Sequence, residues 1–381
     1  MLTSEGCGRR IMQLWGLVPE AVETLVLADP QSLIYFANYA PSPFVFRTSD
    51  ASAVLILERD RSVLVADDMV GVFLQKAHVD EVVAPKWYDG KHPAPHRRAN
   101  VANAAVQWLD KRKRTCAALE SSCVPEAIFE GLLGKGCDEF WTELDNTVRA
   151  LRRVKHADEI DVLKRSMRAG EAGHAAAMQF ARPGMTEYDV FNIVQKSCNE
   201  AAGEPVMIYG DFASGSRIES DRGGPPTSRV IEPGDLFLLD YSVIIHGYRG
   251  DFTNTFAVGG APTSAQRDLF KACIASLEAA EAVLKPGVVC RDVDRAAKAE
   301  AQKAGFAEAY KSHTGHGLGL SHPEPPYFVA ESDEVVMEGD VVALEPGLFI
   351  TGVGGMRFER NYRITAEGFE NLTHHRLTLE P

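Results

Sequence analysis

A chain of 381 residues is long for one small domain, so two domains is its natural reading. With 45% hydrophobic and 24% charged residues it has ample apolar material for large cores, yet it contains no long apolar run able to span a bilayer. The 53 acidic residues against 40 Lys and Arg leave a net charge of −13, which excludes non-specific attraction to nucleic acid or an anionic membrane surface.

The opening segment, MLTSEGCGRRIMQLWGLVPE, has an Arg pair but acids on both sides and no clean apolar core ahead of a cleavage site, so no signal peptide is expected. Seven Cys are scattered without a CxxC pair, which predicts neither a zinc cluster nor a disulfide framework and fits a reduced, cytoplasmic protein. Next come short apolar runs rich in Val, Ile and Leu: ETLVLADP, SAVLILERDRSVLVADD and VDEVVAPKW. Bounded by Asp, Pro and Gly, they read as strands. MVGVFLQKAH and ANVANAAVQWLDKRKRT read as helices between them, giving an α/β domain over residues 1–155 with no Gly-rich phosphate loop.

From residue 156 the pattern changes. HADEIDVLKRSMRAGEAGHAAAMQFA predicts a long helix, broken at Pro183 and Gly184. Thr186 then caps a second helix that stops at Gly203. The run GDLFLLDYSVIIHGYRGDFTNTFAVG predicts a hairpin about Gly247, followed by helices near 264–284 and 291–305. Three strand-like pieces close the chain: VVALEPGLFI, GGMRFERNYRIT and ENLTHHRLTL. Helices followed by strands predict an α+β domain over 156–381.

Charge placement in this second half points to chemistry. Asp240 ends LFLLD and Glu345 ends VVAL, so both put a carboxylate on a run that reads as buried, which is costly without a partner or a cation. Asp251 follows eleven residues later, after the Gly247 turn, where a hairpin can set it across from Asp240. Glu359 lies within MRFERNYRIT, and His316 within the Gly-rich TGHGLGL. Taken singly, each acid is better explained by pairing with an Arg such as Arg357. Four together, with an imidazole, suit a pair of divalent ions that bind and activate one water.

At this point the residues become recognisable. LLDYSVIIHGYRGDFTNTF, TGHGLGLSHPEPP, LEPGLF and GGMRFERNYRIT resemble the ordered motifs of the pita-bread metallopeptidase superfamily, which includes Xaa-Pro aminopeptidases, prolidases, methionine aminopeptidases and creatinase. RRVKHADEIDVLKRSM and RPGMTE resemble the start of its catalytic domain. The resemblance implies a creatinase- or prolidase-like α/β domain followed by a pita-bread catalytic domain, assembled as a homodimer. It also implies Asp240, Asp251, His316, Glu345 and Glu359 as ligands of two divalent ions (Mn, Co, Zn or Fe). Asp251 and Glu359 would bridge them, and Glu345 would act as general base.

Around that centre the sequence departs from the family's pattern. ESDRGGPPTSR holds no His where peptidase members carry one, and Arg222 in that stretch becomes a candidate for binding an acidic substrate group. Ser312 stands where prolidase-like members have a His, with His313 displaced by one. Pro323 stands at a second such position, with His322 one residue early, and Asn254 replaces an Arg. His313 and His322 are therefore expected to serve as catalytic substitutes, with Tyr209, Arg222 and Glu324 as substrate-binding residues. His174 reads as a packed helix residue, His246 as a turn residue, and His374 and His375 as surface.

The expected activity is dinuclear-metal hydrolysis of an amide next to proline, in an Xaa-Pro aminopeptidase or dipeptidase. Two alternatives stay open at the sequence: a C–N hydrolase or lyase acting on a small molecule, and an inactive homologue that keeps its metals.

Overall fold

The computed structural model describes residues 1–45, 52–219 and 223–380. The chain divides into two compact units, Met1–Arg152 and Arg153–Pro381. The boundary expected after residue 155 thus falls after Arg152.

The first unit is built on six strands: β1 (Thr24–Leu27), β2 (Ala53–Glu58), β3 (Ser62–Ala66), β4 (Glu81–Val83), β5 (Cys116–Leu119) and β6 (Glu139–Trp141), in the order β4-β3-β2-β1-β5-β6. β1, β5 and β6 run parallel, while β2 is antiparallel to both of its neighbours. Every residue of β1, β2 and β3 is buried, as continuous apolar runs require of a central sheet. The helix Arg97–Leu109 covers them through Val101, Ala105 and Trp108. The segment expected as a helix at MVGVFLQKAH holds one short turn, Gly71–Leu74, after a 3-10 turn. Conversely, Ser4–Leu17, capped by Thr3, is a helix that the signal-peptide reading passed over.

In the second unit the helix Ala157–Phe180 lies on the hairpin formed by β8 (Leu236–Ile245) and β9 (Tyr248–Ala257), with β7 (Met207–Ser214) on the far side of β8. The packing is close: a methyl group on Gly170 would sit 2.1 Å from the Phe252 ring. The turn between β8 and β9 puts His246 and Gly247 at φ 51° and 82°, the left-handed pair of a tight two-residue hairpin. The helix Glu187–Ala202 begins at the expected Thr186 cap, which closes a reciprocal pair with Asp189. Ser264–Val283 and Cys290–Lys303 pack on each other.

The closing strands form a second sheet. β10 (Gly315–Gly317), β11 (Glu324–Phe328), β12 (Val341–Leu344), β15 (Arg360–Thr365) and β16 (Gly368–Asn371) are ordered β11-β10-β12-β15-β16, while β13 (Gly347–Ile350) and β14 (Gly354–Arg357) make a separate ribbon. Two of the three expected strands are therefore split. VVALEPGLFI breaks at Glu345–Pro346, and GGMRFERNYRIT breaks at Phe358–Glu359. ENLTHHRLTL leaves the sheet after Asn371 and docks by its backbone: the Thr378 carbonyl and N–H bond the Asn254 side chain, and the Leu379 carbonyl accepts from the Ala257 N–H.

Candidate metal centre

Each expected ligand is placed by a distinct backbone device. Register pairs Asp240 with Thr253 and Asp251 with Ser242, so the two aspartates are diagonal neighbours on one face of the hairpin. The break after β12 turns Glu345 inward, its N–H bonded to the Thr314 carbonyl. The break before β15 does the same for Glu359, whose N–H bonds the Thr253 carbonyl. His316 sits mid-strand between β11 and β12. Gly315 and Gly317 flank it because a side chain there would meet the Ala343 and Pro325 carbonyls at 2.0 and 2.1 Å. The glycines therefore serve strand approach around His316.

The donor atoms converge. Atoms of Asp240, Asp251 and Glu359 lie within 4.8 Å of one another, as do those of His313, His316 and Glu345, and those of Asp251, His316 and His322. His316 Nε2 is 3.0 Å from Glu345 Oε1 and 3.6 Å from Asp251 Oδ2. Its Nδ1 donates to the Gly317 carbonyl at 2.9 Å, which fixes the ring and aims Nε2 inward. His313 Nε2 reaches Glu345 Oε1 at 2.9 Å, and His322 Nε2 reaches Asp251 Oδ2 at 2.5 Å.

The protonation pattern is that of a site with more negative charge than the protein alone neutralises. Burial, then the neighbouring Asp251 and Glu345, push the Asp240 carboxyl up to about 7 despite the Arg357 guanidinium bonded to it. Burial and the same ring of acids hold Glu359 well above the usual carboxylate range. Burial also acts upward on Asp251 and Glu345. It is outweighed at Asp251 by His322 and His316, and at Glu345 by His313, His316 and Arg357, so both sit low. Burial pulls the His316 imidazole down, but its bond to Glu345 lifts it to about 9.

These residues fit divalent cations. Glu359 is fully buried beside Asp240 and Asp251; its Oε2 accepts from the Thr253 hydroxyl at 2.7 Å, and its Oε1 has no hydrogen-bond partner. A buried carboxylate oxygen beside two other acids needs a proton or a metal. Oxygen-rich donors with imidazole suit first-row divalent ions.

The structure gathers Asp240, Asp251, His316, Glu345, Glu359, His313 and His322 into one cluster. Tyr209 stands at its edge on β7, 39% exposed, with its hydroxyl 3.5 Å from His322 Nδ1. Arg222 lies outside the described residues. Glu324 is a correction: it is buried in an ion pair with Lys155 at 2.6 Å and so is engaged internally rather than by substrate. Asn254 is buried against Thr378, and His375 is buried rather than on the surface. Arg357 does pair with Asp240, as expected for a lone acid, and also reaches Glu345, but it pairs with neither Asp251 nor Glu359 among the described residues. Two nearby residues escaped the sequence reading. Asp211 lies opposite Asp240 on β7, and Arg249 precedes Asp251 by two positions on β9. The period-two alternation of YRGD was the available signal for Arg249.

Comparison with known proteins follows the same lines. Residues 161–366 match the description "Metallopeptidase family M24". The chain is 25% identical over 354 residues to an uncharacterized peptidase of Staphylococcus aureus (strain USA300), covering 92% of this chain and 94% of that one. Among solved structures, an Xaa-Pro dipeptidase from Bacillus anthracis superimposes with a TM-score of 0.82 at 24% identity, over 98% of this chain and 99% of the other. An X-Pro aminopeptidase from Thermotoga maritima gives 0.82 at 22%, over 100% and 99%. A dipeptidase from Mycobacterium ulcerans gives 0.77 at 25%, over 99% of each chain.

Proposed function

Because the chain belongs to metallopeptidase family M24, we propose that it hydrolyses the amide bond before proline in short peptides, using two divalent ions held by Asp240, Asp251, His316, Glu345 and Glu359. The observation that carries this reading is the convergence of those donors in overlapping groups, with a buried Glu359 oxygen beside Asp240 and Asp251 left without a hydrogen-bond partner. Bound there, the ions would supply Lewis-acid polarisation of an amide carbonyl and acidification of water.

The chain's own residues supply the rest. Glu345 takes a proton as general base, and His313 and His316 hold its Oε1 in place for that task. Deprotonated by its neighbours, it is ready as an acceptor near neutral pH. His313 and His322 stand in for the family histidines displaced by one position, because each Nε2 reaches the carboxylate cluster directly. Both can donate a hydrogen bond to a developing oxyanion, an interaction worth roughly 3 kcal/mol per donor in hydrolases. The displaced spacing therefore does not by itself favour a small-molecule substrate over a peptide.

The test is hydrolysis of an Xaa-Pro dipeptide and a longer Xaa-Pro peptide by metal-reconstituted protein, beside Glu345→Ala. Cleavage that falls by about 100-fold or more in the variant is expected from loss of the base. Two metals per chain with no cleavage of either peptide would sink the proline-peptidase reading.

A further inference from the structure

On β9 the alternation of side chains puts Arg249 on the same face as Asp251. Arg249 Nη1 donates to the Tyr209 hydroxyl, and its guanidinium lies 5.2 Å from the centre of the Tyr209 ring. That hydroxyl leads on to His322 Nδ1 at 3.5 Å, and His322 Nε2 to Asp251 at 2.5 Å. A contiguous line of polar groups thus joins the carboxylate cluster to a guanidinium at its rim. The backbone at that end is fixed, since Arg249 N–H donates to the Gly319 carbonyl at 3.0 Å.

Arg249 differs from the other arginine of the site. Arg357 is paired with Asp240 and Glu345. Among the described residues no carboxylate pairs with Arg249; its buried Nε, like that of Arg357, has no hydrogen-bond partner. A guanidinium is a rigid fork of five donors with no acceptor, and the Tyr209 hydroxyl satisfies only part of it, which leaves donors for an anion. The same fork matches a carboxylate through two parallel hydrogen bonds.

We propose that Arg249, steadied by Tyr209, binds a carboxylate of the substrate and sets the enzyme's preference for acidic over neutral peptides. This rests on the peptidase reading and deepens it by naming the charged group that the substrate carries. The carboxylate has two possible sources: the C-terminus of a dipeptide, or an acidic side chain in a longer peptide.

The experiment compares kcat/KM of the metal-loaded wild type, Arg249→Gln and Arg249→Lys on four substrates. These are an Xaa-Pro dipeptide, its C-terminal amide, and amide-capped tripeptides with Glu or Gln in third place. The wild type is expected to prefer the charged member of one pair by roughly 10- to 100-fold, the range of a charge-assisted hydrogen bond. Arg249→Gln loses that preference, mainly through KM, while Arg249→Lys keeps part of it. Preference within the dipeptide pair assigns the C-terminal carboxylate, and preference within the tripeptide pair assigns the side chain. Equal turnover within both pairs, or a preference that survives in Arg249→Gln, overturns the proposal. If no peptide is cleaved, the peptidase reading fails and binding decides the role of Arg249. Calorimetric titration with N-acetylproline against N-acetylprolinamide then supports it if the acid binds selectively and only with Arg249 present. Equal or absent binding of the two refutes it.

Discussion

Asp240 and Glu359 lie on the same buried wall, and their elevated carboxyl groups link stability to pH through protons that cations would replace. An acid whose folded pKa is raised stabilises the fold at low pH and loses that contribution as pH rises through the folded value. For Asp240 the loss runs from its ordinary range near 4 up to about 7. His316, raised to about 9, adds a loss in the same direction as pH rises from about 6.5. Metal-free protein should therefore lose stability between pH 5.5 and 8, while metal-loaded protein should not. Melting temperatures of chelator-treated and loaded samples across that range read this directly, and a gap that stays constant with pH would contradict it. Elsewhere in the unit, His174 shows the opposite sign. It is buried and stacked on His375 with ring centres 4.8 Å apart, and neither of its nitrogens has a partner. Burial holds His174 well below the ordinary imidazole value and brings His375 to about 4. Depressed bases stabilise the fold above about pH 6.5 and lose that contribution as pH falls toward 4. His174→Phe should thus flatten the drop in unfolding free energy between pH 7 and 5; an unchanged slope would place the acid sensitivity elsewhere.

At the scale of elements, the helix Ala157–Phe180 bears on the site through the β8–β9 hairpin it packs against. Gly170 lets that helix rest on Phe252, the residue after Asp251. Gly170→Ala should destabilise the unit by about 1–3 kcal/mol through overpacking, and should lower metal content by tilting β9. Denaturant unfolding with elemental analysis checks both, and intact stability would show that the ring simply yields. The hairpin was legible in the sequence because Gly247 separates two apolar runs and its left-handed turn has few alternatives. The strand breaks at Glu345 and Glu359 were not legible. An apolar run through a Pro reads as one edge strand, and only the second sheet's pairing shows that β12 and β13 belong to different partners. MVGVFLQKAH reads as a helix on apolar content alone, yet Val70, Val72 and Gly71 are weak helix formers and the turn ends at Leu74. Arg249 was hidden because the case for it rests on the absence of an acidic partner among the described residues, which spacing does not display.

For the whole molecule, the division of labour is uneven. All five proposed ligands and the added residues Arg249, His313 and His322 belong to Arg153–Pro381, where the match to family M24 also lies. The architecture of that unit was legible through its ordered motifs, and the match to family M24 falls over the same residues. The first unit offered only apolar runs with helical segments between them, enough to foresee an α/β domain but not the order of its six strands.

The spread of the donors along the chain has a consequence for how the protein is made. Asp240 and Glu359 lie 119 positions apart, and between them the ligands come from a hairpin, a three-residue strand and two strand interruptions. A nascent chain with only its hairpin formed presents two of the five donors. The full set exists only once β10, β12 and β15 have closed, a non-local event that comes late in assembly. Ions that bind only the finished arrangement draw the folding equilibrium toward it by mass action. Metal capture would thus act as a proofreading step in biogenesis, retaining chains whose tertiary closure is complete and leaving incomplete ones to the cell's quality control.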